Sequence, residues 1–128
     1  MKRIIIVAIF GALAVIVGAF GAHGLKPLLT ADQLESYKTG VSYQFYHTIV
    51  LFGLALLINS NANKYFKLAF TFISIGILLF SGSIYLLSTR DITGLTSMSW
   101  LGPITPIGGL SFILGWVFLG IGAYQSRN

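Results

Sequence analysis

The sequence has no cysteine and few charged residues, and both shortages limit what this protein can be. Without cysteine, disulfide bonds, thiolate nucleophiles and cysteine metal ligands are all excluded. Charged residues make up 9% of the chain, against about 25% in ordinary soluble domains, while hydrophobic residues make up 55%. So few charges cannot cover the surface of a water-soluble fold of 128 residues. The composition therefore indicates a protein that is surrounded mainly by lipid.

Proline and acidic side chains are also scarce, with three of each in the chain. All six lie outside the long apolar runs or at their ends. The runs therefore lack the buried carboxylates that relay protons or ions through many membrane proteins. Eight basic residues give a net charge of +5, but they are scattered singly or in pairs. This distribution lacks the basic face of nucleic-acid-binding proteins, so no nucleic-acid partner is predicted.

Long apolar runs are what the sequence has in abundance, and four of them predict four transmembrane helices. The predicted spans cover about residues 4–22, 41–58, 65–88 and 106–124. The first run is uncharged throughout and is longer than the ~7–15 residue apolar core of a cleaved signal peptide. The predicted fold class is all-α: an integral membrane four-helix bundle, with a single transmembrane domain over residues 1–128.

An amphipathic extension is predicted to precede the second span. Thr30 and Gln33 form a predicted capping box, which starts a helix at residue 31. One helical face then recurs at steps of four and three residues: Gln33, Tyr37, Gly40, Gln44, His47 and Leu51. Because this stripe keeps its phase across Gly40, it favours one continuous helix of about 28 residues, or ~42 Å. A break at Gly40 is the alternative.

Small residues line one face of the first span and one face of the fourth. The positions are Gly11, Ala14, Gly18 and Gly21 in the first span, and Gly108, Ser111, Gly115 and Gly122 in the fourth. Such faces let helices approach closely in lipid, so they predict packing seams within the bundle. The same Gly/Ala seams are candidates for contacts between copies in a homo-oligomer.

The third span carries hydroxyl groups instead. One face of this helix is predicted to hold Thr71, Ser74, Leu78, Ser81, Tyr85 and Ser88. These hydroxyls can bond the carbonyl four residues earlier or reach a neighbouring helix. A long connection follows over residues 90–105, in which Trp100 is predicted to lie at the lipid headgroups. The fourth helix is predicted to start with Thr105 as N-cap and Pro106 in the first helical position.

The distribution of lysine and arginine predicts the orientation. The two termini and the second connection carry five basic residues and no acidic one: Lys2, Arg3, Lys64, Lys67 and Arg127. The other two connections carry three basic residues, which three acidic residues balance. By the positive-inside rule, this pattern predicts a multi-pass protein of the cell membrane with both termini in the cytoplasm.

Polar residues in or near the spans are the candidates for function, because ionisable groups at membrane depth often mark sites. With the predicted orientation they gather towards the outer leaflet: His23, Tyr43, Gln44, His47, Ser81, Arg90 and Thr105. The start of the fourth helix, with Arg90, would suit an anionic lipid headgroup or a small carboxylate. A purely structural role, in which His47 fixes packing through a hydrogen bond, remains open.

Metal and cofactor sites find little support in the sequence. The two histidines with Asp32 or Glu35 would supply metal ligands, but their spacing matches no known metal motif. The glycine pattern around Gly18 and Gly21 lies inside an apolar span with no preceding strand, so it is not a phosphate loop. No metal and no cofactor are therefore predicted.

Several segments occur together in an order that resembles a known family. They are Gly18-Ala19-Phe20-Gly21-Ala22-His23-Gly24-Leu25, Tyr43-Gln44-Phe45-Tyr46-His47, Phe80-Ser81-Gly82-Ser83-Ile84-Tyr85, Pro103-Ile104-Thr105-Pro106-Ile107-Gly108-Gly109 and Gly115-Trp116. Over nearly its whole length the chain resembles the small bacterial membrane proteins of the YgdD/YwdK type, which have a eukaryotic transmembrane relative. The resemblance implies a four-span inner-membrane protein. It implies no catalytic roles, since no activity is established for the family.

Three functional hypotheses follow from these observations. The first is a membrane protein that binds a lipid or a small amphiphile near the outer leaflet, with membrane lipids as its partners. The second is a small membrane enzyme or proton-transfer protein that uses His23 or His47 as acid or base. The third is a structural or accessory membrane subunit without a ligand.

Overall fold

The computed structural model describes residues 1–97 and 99–127, and all regular secondary structure in these residues is helical. Four helices in this part of the chain are long and apolar enough to cross a membrane. They are α1 (Lys2–Ala22), α2 (Ala31–Ser60), α3 (Lys64–Ser88) and α4 (Ile104–Gln125). The 21 residues of α1 span ~32 Å, which matches a hydrocarbon core of about 30 Å. The all-α prediction and the four spans are confirmed.

The second helix is continuous, as the phase of its stripe predicted. It runs without interruption through Gly40 and ends at Ser60. Its start is the predicted capping box, in which the Gln33 amide donates to Thr30 Oγ1 at 3.2 Å and the Thr30 amide donates to Gln33 Oε1 at 3.0 Å. Gly40 is needed for contact rather than for a bend, because a Cβ there would lie 3.0 Å from the Ile84 and Tyr85 side chains of α3.

The two middle helices form the centre of the bundle. α1 packs against α2, while α4 packs against α3. The middle helices are also the more buried ones: the buried share of the most apolar segment is 39% in α2 and 33% in α3, against 17% in α1 and 22% in α4. The deepest part of the core holds Leu51, Leu54 and Ile73. The outer faces of α1 and α4 are apolar and exposed, as expected for helices in contact with lipid.

The small-residue seam of α1 packs against α2, as predicted. Ala14 is buried, and a Cβ on Gly18 would lie 3.3 Å from the Val41 side chain. At the end of the helix, the ring of Tyr37 covers Gly21, and the Tyr37 hydroxyl donates to the Val17 carbonyl at 2.6 Å. The seam therefore lets an aromatic side chain of α2 lie directly against the backbone of α1.

The seam of α4 packs against α3 in the same way. Gly115 faces Ile73, and Gly122 faces the ring of Phe66, so that glycines seven residues apart face the same helix. Ser111 lies between Gly108 and Gly115, and its hydroxyl donates to the Phe72 carbonyl at 2.6 Å. Both seams are thus covered by helices of the same chain, and a homo-oligomer through them stays a prediction.

A π-helical turn interrupts α3 at Ile77–Ser81, where the Gly82 amide donates to the Ile77 carbonyl five residues earlier. No feature of the sequence predicted it. Gly108 of α4 sits directly against this turn, since a Cβ there would collide with the backbone of Leu79 and Phe80. The π-turn and Gly108 together let the two backbones touch.

The predicted hydroxyl face of α3 is wrong in its first half. Thr71 and Leu78 are exposed, whereas Ser81 and Ser88 are buried. The predicted steps average about 3.4 residues, which falls short of the 3.6 residues of a helical turn, so the stripe drifts around the helix. The exposed Thr71 bonds within its own helix, which was the other role predicted for these hydroxyls: its hydroxyl donates to the Lys67 carbonyl, four residues earlier, at 3.0 Å.

The predicted start of the fourth helix is also wrong. Its N-cap is Pro103, without a side-chain cap, and the helix begins at Ile104. The Thr105 hydroxyl, predicted as the cap, instead bonds the Ser83 hydroxyl of α3 at 2.6 Å. Pro106 still falls in the first turn, where its missing amide hydrogen costs nothing. In the preceding connection, Trp100 is exposed, as a residue at the headgroups would be.

Candidate functional site

The imidazole of His47 is held on three sides by the protein. Nδ1 lies 2.8 Å from the Tyr43 carbonyl, and the Trp116 indole nitrogen donates to Nε2 at 3.2 Å. Because Nε2 accepts, the ring hydrogen is on Nδ1 and the imidazole is neutral. The ring also stacks on Phe112 of α4, with centroids 3.7 Å apart and planes 14° apart. His47 therefore joins α2 to α4 and has no ring nitrogen left for a ligand.

An aromatic groove of about 590 Å³ lies beside this imidazole, between α2 and α4. Its lining comprises Tyr43, Tyr46, His47, Phe80, Gly109, Phe112, Ile113 and Trp116. The rings of Tyr43 and Phe80 stack at 4.8 Å and form one wall. Tyr46, Ile113 and Trp116 are about half exposed, so the groove opens sideways towards the lipid. We refer to this feature as the aromatic groove.

The groove reaches closer to the middle of the helices than the predicted gathering of polar residues towards one leaflet indicated. Trp116 lies near the midpoint of α4, and the Phe10 carbonyl that pairs with neighbouring Gln44 lies near the midpoint of α1. The reason is that Tyr37 packs on Gly21 at the end of α1, so α2 enters the bundle several residues before Val41. The groove therefore extends from one half of the bundle to about its middle.

Gln44 and Ser81 hold the helices together rather than line a cavity. The Gln44 amide donates to the Phe10 carbonyl at 2.9 Å, and its oxygen accepts from the Tyr85 hydroxyl at 2.6 Å. Gln44 thus links α1, α2 and α3 in one chain of hydrogen bonds. The buried Ser81 hydroxyl donates to the Gly40 carbonyl at 2.7 Å. Both side chains have their hydrogen-bonding groups satisfied inside the protein.

Arg90 and Thr105 line a second cavity, of about 450 Å³, where the end of α3 meets the starts of α2 and α4. Its lining comprises Asp32, Gln33, Ser36, Thr39, Ile84, Leu87, Ser88, Arg90 and Thr105. The side-chain amide Nε2 of Gln33 donates to the Asp91 carboxylate at 2.7 Å and ties the α3–α4 connection to the first turn of α2. We refer to this cavity as the polar cleft.

His23 belongs to neither cavity. It follows α1 directly and is exposed, and the groove around His47 is built from α2, α3 and α4. The two histidines are therefore separate features of the fold. Across residues 1–97 and 99–127, no three histidine, aspartate or glutamate side chains come together as metal ligands would.

The sequence analysis missed the aromatic residues of α4 and α3 that complete the groove. Phe112 and Trp116 are four residues apart and so share a helical face, which was the available signal. This signal was not decisive, because α4 is apolar on every side. Without a polar face, the sequence does not show which apolar face packs inward and which contacts lipid. Only the packing of α4 on α3 shows that this face turns towards His47.

These helices and the groove that they enclose define a polytopic α-helical membrane protein. Residues 17–109 match the family model described as "Protein of unknown function (DUF423)", and the chain belongs to this family.

Similar proteins cover almost the whole chain. A UPF0382 membrane protein of Haemophilus influenzae is 40% identical over 99% of this chain and 97% of its own length. The UPF0382 inner membrane protein YgdD of Escherichia coli is 36% identical, over 98% and 91%. The UPF0382 membrane protein YwdK of Bacillus subtilis is 41% identical, over 95% of each chain. No solved structure matches this chain.

Proposed function

We propose that this protein binds a membrane lipid or a small amphiphile in the aromatic groove. The observation that carries the proposal is a groove of about 590 Å³ that is walled by rings and opens to the lipid. This volume falls within the ~300–1,000 Å³ of small-molecule sites. The groove thus makes the lipid-facing surface concave at this place, as a binding site requires.

The chemistry of the groove suits an apolar chain. His47 is its most polar member, yet both ring nitrogens bond to the protein, so the imidazole presents a flat, neutral edge. An acyl chain that packs there leaves neither the His47 ring nitrogens nor the Trp116 indole nitrogen without a partner, which would otherwise be costly. The same bonds leave the acid–base hypothesis without support at His47, because proton exchange needs a nitrogen within reach of a substrate.

Filling the groove tests the proposal. Gly109 lines it, and a Cβ added there would meet nothing nearer than the Phe80 ring, at 3.9 Å. We expect Gly109→Leu to occupy the groove and to abolish the lipid that native mass spectrometry detects on protein from mild detergent. The matched control is Gly120→Leu on the same helix, one turn beyond Trp116 and outside the groove lining, where a Cβ has no heavy atom within 4 Å.

The control variant should retain lipid at the level of the unchanged protein, and both variants should unfold at similar detergent concentrations. Equal lipid retention by Gly109→Leu and Gly120→Leu would contradict the proposal. So would an unchanged protein that carries no lipid under gentle activation.

We also propose that the protein lies in the cytoplasmic membrane with both termini in the cytoplasm. Several contacts support a common end for the basic segments. The Arg3 guanidinium lies 5.9 Å from the Phe70 ring centroid, and Asn61 donates to Ser126 at 3.0 Å. The two termini and the α2–α3 connection thus share one end of the bundle, and the positive-inside rule favours the cytoplasm for it. The Escherichia coli relative is named an inner membrane protein, which agrees with this location.

A further inference from the structure

The aromatic groove and the polar cleft follow one another along the same interhelical line. On α2, Thr39 lines the cleft and Tyr43 lines the groove, one helical turn apart. On α4, Thr105 and Gly109 do the same, and on α3 the floor passes from Ile84 to Phe80. Residues four apart share a helix face, so the two cavities lie one after the other along the same faces of these helices. We refer to the two cavities in line as the furrow.

The two parts of the furrow differ in chemistry. The groove contains only neutral side chains, whereas the polar cleft contains Asp32 and Arg90, one charge of each sign. The guanidinium of Arg90 is not strongly held, since its Nε lies 4.0 Å from Asp91 and both side chains are more than half exposed. Asp91 is also engaged by Gln33, at 2.7 Å. The polar cleft thus offers one cationic and one anionic side chain next to the apolar groove.

We propose that the furrow holds one phospholipid with a zwitterionic, amine-bearing headgroup. The headgroup lies in the polar cleft, with its phosphate on Arg90 and its ammonium on Asp32, and an acyl chain follows the furrow into the aromatic groove. This proposal rests on the proposed function and adds the class of ligand. The cleft, at about 450 Å³, has the size of a small-ligand site.

Charge complementarity selects this occupant over others. An anionic headgroup would satisfy Arg90 but would bring negative charge close to Asp32, which is unfavourable. A helix from a second copy would bring an apolar ridge to the groove and would leave Asp32 and Arg90 covered without partners. The phosphate and ammonium of a zwitterionic lipid satisfy both charges at once.

Native mass spectrometry of the full chain in mild detergent tests the proposal, with equal amounts of phosphatidylethanolamine and phosphatidylglycerol that carry the same acyl chains. We expect the unchanged protein to retain phosphatidylethanolamine preferentially. Arg90→Gln and Asp32→Asn should each lower this preference about two- to five-fold, the range of a partly exposed charge contact. Lys26→Gln and Glu35→Gln are matched controls, since both residues are exposed at the same end and outside the cleft.

The outcomes separate this proposal from the proposed function. Equal retention of the two lipids, or equal losses in the control and cleft variants, would overturn the headgroup assignment. If Gly109→Leu still removed both lipids in that case, binding in the groove would stand alone. If the unchanged protein retained neither lipid, both proposals would fail. A dimer that excludes lipid and is broken by Gly109→Leu would show that the occupant is a second copy.

Discussion

At the scale of single residues, the tightest point of the structure is Gly108. Its α-carbon lies against the backbone of Leu79 and Phe80, so an added methyl group would meet atoms that cannot rotate away. Gly21 and Gly122 face aromatic rings instead, and Gly120 has no heavy atom within 4 Å of its Cβ position. Glycines on the same helix therefore have very different costs of substitution.

We expect Gly108→Ala to lower the free energy of unfolding by about 1–3 kcal/mol, because overpacking at a rigid contact forces the helices apart. Gly120→Ala is the control. It should leave stability unchanged or raise it by up to about 1 kcal/mol through the helix propensity of alanine. Unfolding in mixed detergent and dodecyl sulfate, followed by circular dichroism, measures both. Equal stability of the two variants would contradict the close contact.

Gln44 is the second residue on which packing depends, because it connects three helices. We expect Gln44→Leu and Tyr85→Phe each to destabilise the bundle, and the double variant to cost less than the sum. The coupling should be about 0.6–1.7 kcal/mol, the range of interhelical hydrogen bonds in membranes. Tyr124→Phe, at an exposed position, is the control and should show no coupling to Gln44→Leu. Additive effects in the first cycle would argue against the bond between Gln44 and Tyr85.

At the scale of elements, the π-turn in α3 is the least regular part of the bundle. Such turns amount to one extra residue accommodated within an α-helix, and they often occur at functional sites. Here the turn contains Phe80, which touches Gly108 through its backbone and lines the aromatic groove with its ring. The irregularity of α3 thus shapes both the contact with α4 and the floor of the furrow.

Removing one residue distinguishes the π-turn from the rest of α3. We expect deletion of Leu78, which is exposed within the turn, to leave a folded protein, because the helix returns to regular geometry with its ends in place. Deletion of the exposed Thr71 should abolish folding, since it rotates one part of the helix against the other by ~100°. Folded yield after size-exclusion chromatography measures the difference. Equal tolerance of the two deletions would contradict this account.

At the scale of the whole molecule, the bundle has two chemically different ends. The end with the termini carries basic residues, and the asparagines of the α2–α3 connection bond to Gly122 and Ser126 at the end of α4. The opposite end carries the polar cleft with charges of both signs. This asymmetry is what the proposed orientation depends on.

Cysteine labelling tests the orientation directly, because the chain has no native cysteine. We expect Leu95→Cys, in the α3–α4 connection, to react in intact cells with a maleimide that cannot cross membranes. Ala62→Cys, in the α2–α3 connection, should react only after the cells are made permeable. Both positions are exposed, so each is the accessibility control of the other. The reverse pattern would place the termini outside.

The sequence was most informative where one local rule governs the outcome. The stripe from Tyr37 to Leu51 predicted the buried face of α2, because a single helical period decides which side chains share a face. The capping box at Thr30 was predicted for the same reason, since its partners are three residues apart. The packing seams of α1 and α4 were predicted from their small residues, because small side chains let helices approach closely in lipid.

By itself, the sequence determined that lipid surrounds the protein and that four helices span the membrane. It also determined that α2 is continuous and which helix faces carry small residues. All of these depend on composition and on spacing within one helix. The tertiary structure alone decided that Thr105 bonds Ser83 instead of capping α4, that α3 holds a π-turn, and that Trp116 reaches His47. Each of these joins residues 22 to 69 positions apart or depends on the contact between two backbones. No local period records such contacts, since they arise only when the helices pack.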